Sequence, residues 1–268
     1  RRILKIFEVN VSISIWDFFQ ASIVALFANQ TIPSAGISGN AFFYSFLIKR
    51  KISASQIFSL IVIELLTFYA ASEMIIVFVG VFGLTAYKIP SVFLLILLGG
   101  FLVFGVFAFF VSYIGRSKFS NRLYKKISSV KFIKKRLDKF LKEKSPSTKM
   151  KNPWKLFFDY KLKILEALLL QIFIFLADSF TIFALFYGLG VPVSYYLAAT
   201  ALMLTKIVSL LPVSPGALIL YEGGLTYFFV HLNLPFGTSL LVTLLYRLFS
   251  FWMPMPVGFV LYKKLQKI

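Results

Sequence analysis

The chain reads as eight apolar runs joined by short polar or basic links, at 11–31, 41–48, 56–87, 90–114, 164–190, 193–211, 217–232 and 236–262. A helix that crosses the hydrocarbon of a bilayer needs about 20 residues. The runs that open at Gln56, Pro90, Ile164 and Phe236 therefore predict full spans. The other four form two pairs of arms, each folded on a break. One break is Pro33, Ser34, Ala35 and Gly36, with Gly39 close behind; the other runs from Pro212 through Val213 and Ser214 to Pro215 and Gly216. Irregular backbone survives at membrane depth only where protein buries it or where it lines a polar cavity. Each break thus predicts a re-entrant hairpin, and the arm at 41–48, about 12 Å long at 1.5 Å per residue, predicts a turn near mid-membrane.

Composition agrees with the pattern. Hydrophobic residues make up 59% of the 268, the mean hydropathy is +0.85, and 15% of residues are charged, against about 25% in soluble domains. These values describe a multi-spanning membrane protein. The absence of cysteine excludes disulfides, thiolate nucleophiles and Cys-ligated zinc, and one histidine, His231, supplies a transition-metal site poorly. Arg1 and Arg2 are not preceded by methionine, and Glu8, Asn10 and Asp17 interrupt any signal-like core, so the start reads as mature membrane sequence.

Charge sets the sidedness. From Arg116 to Lys163 there are 17 Lys or Arg against Asp138, Glu143 and Asp159, a net +14 of the chain's +19. Short basic loops stay in the cytoplasm. The expected protein is a multi-pass cell-membrane protein with loop 116–163 and the C-terminus in the cytoplasm. Within that loop Phe119, Leu123, Ile127, Val130, Ile133, Leu137 and Leu141 recur at helical spacing, which predicts an amphipathic helix on anionic headgroups. Nucleic-acid partners are not expected, because none of the reader motifs is present.

With this orientation the first hairpin opens to the cytoplasm and the second to the exterior, so the two point at each other. Residues 64–69 align with residues 247–252, and the order of break, short arm, polar link and long span recurs in opposite sense. The expected fold is all-α: one transmembrane domain over 1–268, a polytopic helix bundle with two opposed re-entrant hairpins in an inverted repeat, with loop 116–163 between the halves. Such repeats carry midplane sites in many transporters.

Ionisable side chains at membrane depth cost at least about 2.5–3.5 kcal/mol on insertion scales and mark functional sites or structural ion pairs. Glu64, Glu73, Asp178, Lys206, Glu222 and Arg247 all lie inside apolar runs. Lys206 precedes Pro212 by six residues and Glu222 follows Gly216 by six, which suits a shared cavity. Arg247 lies near the middle of its span and needs a carboxylate, first Glu222 and then Glu64 or Asp178. Glu73 follows Glu64 by 2.5 helical turns and so falls on the opposite face, outside this group.

The segment Ile32-Pro33-Ser34-Ala35-Gly36-Ile37-Ser38-Gly39, and above all Leu211-Pro212-Val213-Ser214-Pro215-Gly216 with Tyr221-Glu222-Gly223 and Tyr246-Arg247-Leu248, resembles the transmembrane domain of lysylphosphatidylglycerol synthase and its flippase-like relatives. The resemblance implies a protein that moves or handles a lipid or lipid-linked headgroup, and it picks out Pro212, Gly216, Glu222 and Arg247. The chain has no aminoacyl-transfer domain, so synthase chemistry does not transfer. The expected substrate or ion path is Arg247, Glu222, Lys206, Glu64 and Asp178, with no catalytic residues and no cofactor. Expected partners are membrane lipids, anionic phospholipid or a polyprenyl-phosphate-linked lipid, with a lipid-modifying enzyme as a further candidate. No nucleotide-binding loop is present, so movement would draw on a gradient or mass action. The alternatives are a non-transporting membrane scaffold or an integral-membrane transferase acting on a lipid carrier.

Overall fold

The computed structural model describes residues 13–32, 37–87, 89–114, 159–210 and 214–266. Every regular element among them is helical. In order they are α1 (Ile15–Thr31), α2 (Ile37–Ile48), α3 (Ala54–Phe82) with a π-helical turn at Gly83–Tyr87, and α4 (Ser91–Ile114). There follow α5 (Lys161–Gly188), α6 (Tyr195–Val208), a 3-10 turn at Pro215–Ala217, and α7 (Leu220–His231). The last are α8 (Phe236–Arg247), a π-helical turn at Leu248–Trp252, and α9 (Pro254–Gln266).

Local chemistry sets the ends of these helices. Ser14, Ser53 and Ser194 cap α1, α3 and α6, and Ser53 with Gln56 forms a reciprocal capping box. Three helices stop on a left-handed residue: Lys51, Gly190 and Asn233, at φ of 63°, 73° and 65°. In each case the next amide reaches five residues back, Ile52 to Leu47, Val191 to Phe186 and Leu234 to Phe229, and satisfies a carbonyl that would otherwise be orphaned.

Among the described residues, four stretches are long and apolar enough to cross a membrane: Gln56–Tyr87, Ser91–Tyr113, Lys161–Gly188 and Phe236–Leu265. They correspond to the four spans predicted from run length. On α4, Leu95, Leu98, Leu102, Val106 and Phe109 all stand exposed, as expected of a helix whose surroundings are acyl chains rather than water. The shorter helices lie inside. α6 buries every residue from Ala198 to Thr205 and packs against α3, α4, α5 and α7. At 14 and 12 residues, α6 and α7 are about 21 and 18 Å long, each well short of the roughly 30 Å hydrocarbon thickness.

Two apolar cores result. The larger is built from α3 to α8 around Leu202, Phe186, Phe229 and Val242. The smaller joins α1, α2 and the start of α3 through Ala21, Leu47 and Ile57. α1 packs along α9, where Gly258 admits the Phe27 side chain, and α1 also meets the 3-10 turn at Pro215–Ala217.

Several expectations are revised. α2 begins at Ile37 rather than near Ala41, so that arm is 12 residues long. Gly39 is no part of a break: it lies within α2, where a Cβ would meet the Asn29 amide, and its N–H donates to Asn29 Oδ1 at 2.6 Å. Tyr196 is buried and donates its hydroxyl to Val79 O at 2.6 Å. The breaks at Pro33, Gly36 and Pro212, and the amphipathic stripe from Phe119 to Leu141, lie outside the described residues.

Candidate functional site: a buried arginine at a broken helix

α7 and α8 are antiparallel and joined by the short link that follows the Asn233 cap. One turn along α7 from Glu222 is Thr226, and one turn back along α8 from Arg247 is Thr243. The two pairs stack in register, Thr226 Oγ1 donating to Thr243 Oγ1 at 3.1 Å and Arg247 Nε donating to Glu222 Oε1 at 2.7 Å. Equal spacing on both helices brings arginine and carboxylate together.

The guanidinium is held on three further sides. Its Nη2 donates to Gly216 O at 3.0 Å, so it ties α8 to the 3-10 turn between α6 and α7. Its Cζ lies 4.6 Å from the Tyr221 ring centre and 4.4 Å from that of Phe251, within cation–π range. The Arg247 side chain is 7% exposed and that of Glu222 20%. Glu222 Oε2 is buried and has no hydrogen-bond partner among the described residues.

The turn that offers Gly216 O is bent against its own preferences. Gly216 has φ 57°, and a Cβ there would collide with the Phe251 ring, so glycine is required twice over. Ala217 and Ile219 also hold positive φ, at 51° and 39°. Such backbone persists only where the surroundings over-determine it.

Proline shapes the other side. Pro254 has no N–H to offer the carbonyl of Ser250, four residues back, and the helix runs through a π turn at Leu248–Trp252. The Ser250 carbonyl accepts instead from Gln30 Nε2 on α1 at 3.0 Å. Among the described residues, buried oxygens without hydrogen-bond partners occur in these segments: Gln30 Oε1, Ser214 Oγ and Ser250 Oγ, with Glu222 Oε2 on α7.

A second ion pair lies on the neighbouring helices. Lys206 Nζ of α6 donates to Asp178 Oδ2 of α5 at 2.9 Å, with the two side chains 32% and 36% exposed. The rings of Tyr221 and Tyr246 stack with centres 6.2 Å apart and hydroxyl oxygens 3.5 Å apart. Glu64 joins neither pair; it stands on an exposed face of α3.

A cleft of about 390 Å³ runs along α7 and α8, from Glu222 past Thr226 and Tyr227 to His231, with Phe236 and Leu240 on the far wall. A larger hollow, about 440 Å³, lies on the outward apolar face of α5 between Leu162 and Phe173. No group of His, Asp or Glu able to hold a metal occurs among the described residues.

The family described as the lysylphosphatidylglycerol synthase TM region matches residues 4–258, nearly the whole chain. The chain belongs to this family. As a member of the lysylphosphatidylglycerol synthase TM-region family it is a multi-pass membrane protein with a lipid-related function. Comparison with curated proteins and with solved structures gives no match.

Of the residues singled out from sequence, Arg247, Glu222 and Gly216 meet in one site, Lys206 and Asp178 form a separate pair, and Glu64 stands apart. Sequence reading passed over Tyr221, Phe251 and Gln30 as partners of the site. Tyr221 and Tyr246 directly precede the two charged residues, a repeated Tyr-charge dipeptide that could have drawn attention to them. Glu73, set aside by its helical phase, has both carboxylate oxygens buried without a hydrogen-bond partner.

Proposed function

We propose that this protein moves a lipid across the bilayer by its polar headgroup, without ATP. The observation that carries the reading is the Arg247–Glu222 pair, buried beside a broken helix, with Glu222 at the end of a cleft of about 390 Å³. In this reading α1–α2 and α6–α7 act as two re-entrant hairpins related by an inverted repeat, and the site lies where they meet. A headgroup phosphate exchanges with Glu222 for the Arg247 guanidinium, since both offer oxygens to the same planar fork. The acyl chains stay in lipid. Anionic phospholipids or polyprenyl-phosphate-linked lipids are the cargo, loop 116–163 faces the cytoplasm of the cell membrane, and the chain carries out no covalent chemistry itself.

Reconstitution in vesicles containing fluorescent phosphatidylglycerol, with reductant added outside, tests this reading. Arg247→Ala should abolish exchange between leaflets, and Arg247→Lys should restore only part of it because lysine lacks the bidentate fork. Full exchange by a folded Arg247→Ala variant would reduce Arg247 to a structural residue and overturn the mechanism.

A further inference from the structure

We infer that Glu73 is a proton-binding site inside the membrane, and that it gains and loses this proton as the protein moves lipid. The residue lies within two positions of the middle of the span Gln56–Tyr87. Neither carboxylate oxygen is exposed or has a hydrogen-bond partner among the described residues. An ionised carboxylate with no partner is the costliest polar group a membrane helix can bury, whereas the neutral acid gives up far less solvation. The geometry therefore requires the carboxyl to hold its proton in this conformation.

Among the described residues the surroundings supply no counter-charge. α3 packs against α2, α4, α5 and α6. The ionisable groups on these helices are Tyr44 on α2, Tyr113 on α4, Lys161, Lys163, Glu166, Asp178 and Tyr187 on α5, and Tyr195, Tyr196 and Lys206 on α6, with Glu64, Tyr69 and Tyr87 on the same span. None bonds to Glu73. Lys206 is engaged by Asp178. Tyr69, one turn before Glu73, stacks its ring on Phe107 of α4.

Glu73 nevertheless sits close to a way out. A Cβ on Gly105 of α4 would stand 3.5 Å from Glu73 Oε1, so the carboxyl lies against a residue that has no side chain and is itself exposed. A small displacement of α4 relative to α3 would uncover the acid. Glu222 and Asp178 differ, since each is tied to a cation and cannot exchange a proton without giving up that partner.

The proposal rests in part on the transport reading, and the experiment separates the two. N,N′-dicyclohexylcarbodiimide is lipid-soluble and reacts with protonated carboxyls: the acid proton passes to one nitrogen, the carboxyl oxygen adds to the central carbon, and an acyl shift leaves a stable N-acylurea with nothing expelled. The full chain in vesicles should acquire this adduct on Glu73, found by mass spectrometry, with labelling that falls from mildly acidic to alkaline pH. Glu73→Gln should lose the adduct. Absence of label on wild-type Glu73, label independent of pH, or preferential label on Glu222 or Asp178 would overturn the proton site. In the leaflet-exchange assay the wild-type rate should respond to an imposed proton gradient and that of Glu73→Gln should not. A wild type that moves lipid with no response to the gradient, or a variant that keeps the response, overturns the coupling. If Glu73 takes the label with the expected pH dependence but no lipid moves, the proton site stands and the transport reading fails.

Discussion

The two ion pairs are built from the same kinds of charge and have opposite surroundings. Arg247 and Glu222 are buried, and the guanidinium is enclosed by a backbone carbonyl and two aromatic rings; Lys206 and Asp178 are about one-third exposed and meet through one hydrogen bond. The contrast teaches that charge at membrane depth is of two kinds. A lysine on a flexible stem can reach out from a helix face, and its partner can be replaced by water or headgroup. A guanidinium fixed on a broken helix cannot turn away, so whatever displaces Glu222 must present oxygens to it in place.

Breaking the buried pair on one side should have the largest effect. Arg247→Met leaves Glu222 buried without its cation, and the expected loss is about 3–5 kcal/mol. Adding Glu222→Leu should recover a substantial part of that stability, though not transport, and a thermal-unfolding double-mutant cycle in detergent measures the difference. Equal destabilisation by the single and double variants would show that the pair is not coupled. Next in size is Gly216→Ala. It forces an L-residue into φ 57° against the Phe251 ring, with an expected loss of about 1–3 kcal/mol and a looser hold on Arg247 Nη2. An unchanged melting temperature would show that the turn relaxes freely. Smallest should be Lys206→Met, since a partly exposed pair contributes about 0–1 kcal/mol. A loss as large as that of Arg247→Met would erase the distinction between the two pairs.

The fold was legible where length and hydropathy decide it. Four runs longer than about 20 apolar residues could cross the hydrocarbon and the shorter ones could not, which is a matter of rise per residue. The meeting of Arg247 with Glu222 was legible for a related reason: a midplane guanidinium needs an anion, and Glu222 follows the break on the adjoining arm. The pairing of Lys206 with Asp178 was not. It depends on how α5 and α6 are rotated, and the sequence assigned both residues to the arginine's cavity. Gly39 misled because a glycine just past a Pro-Gly break resembles part of it, whereas here it serves close packing against Asn29. Gly216 O could not be anticipated as a ligand of Arg247, because backbone carbonyls carry no sequence signature and their direction follows from the φ values of a turn that tertiary contacts impose. Glu73 was set aside by helical phase, yet the face it occupies is where Gly105 leaves room for a carboxyl.

The carbonyl of Ser250 and the amide of Gln30 are 220 residues apart in the chain. As the protein is synthesised and threaded into the bilayer, the amide of Gln30 lacks this acceptor until the segment bearing Ser250 has entered. Pro254 removes the intrahelical donor that Ser250 would otherwise find four residues on. The two halves are therefore joined by a clasp that neither can close alone.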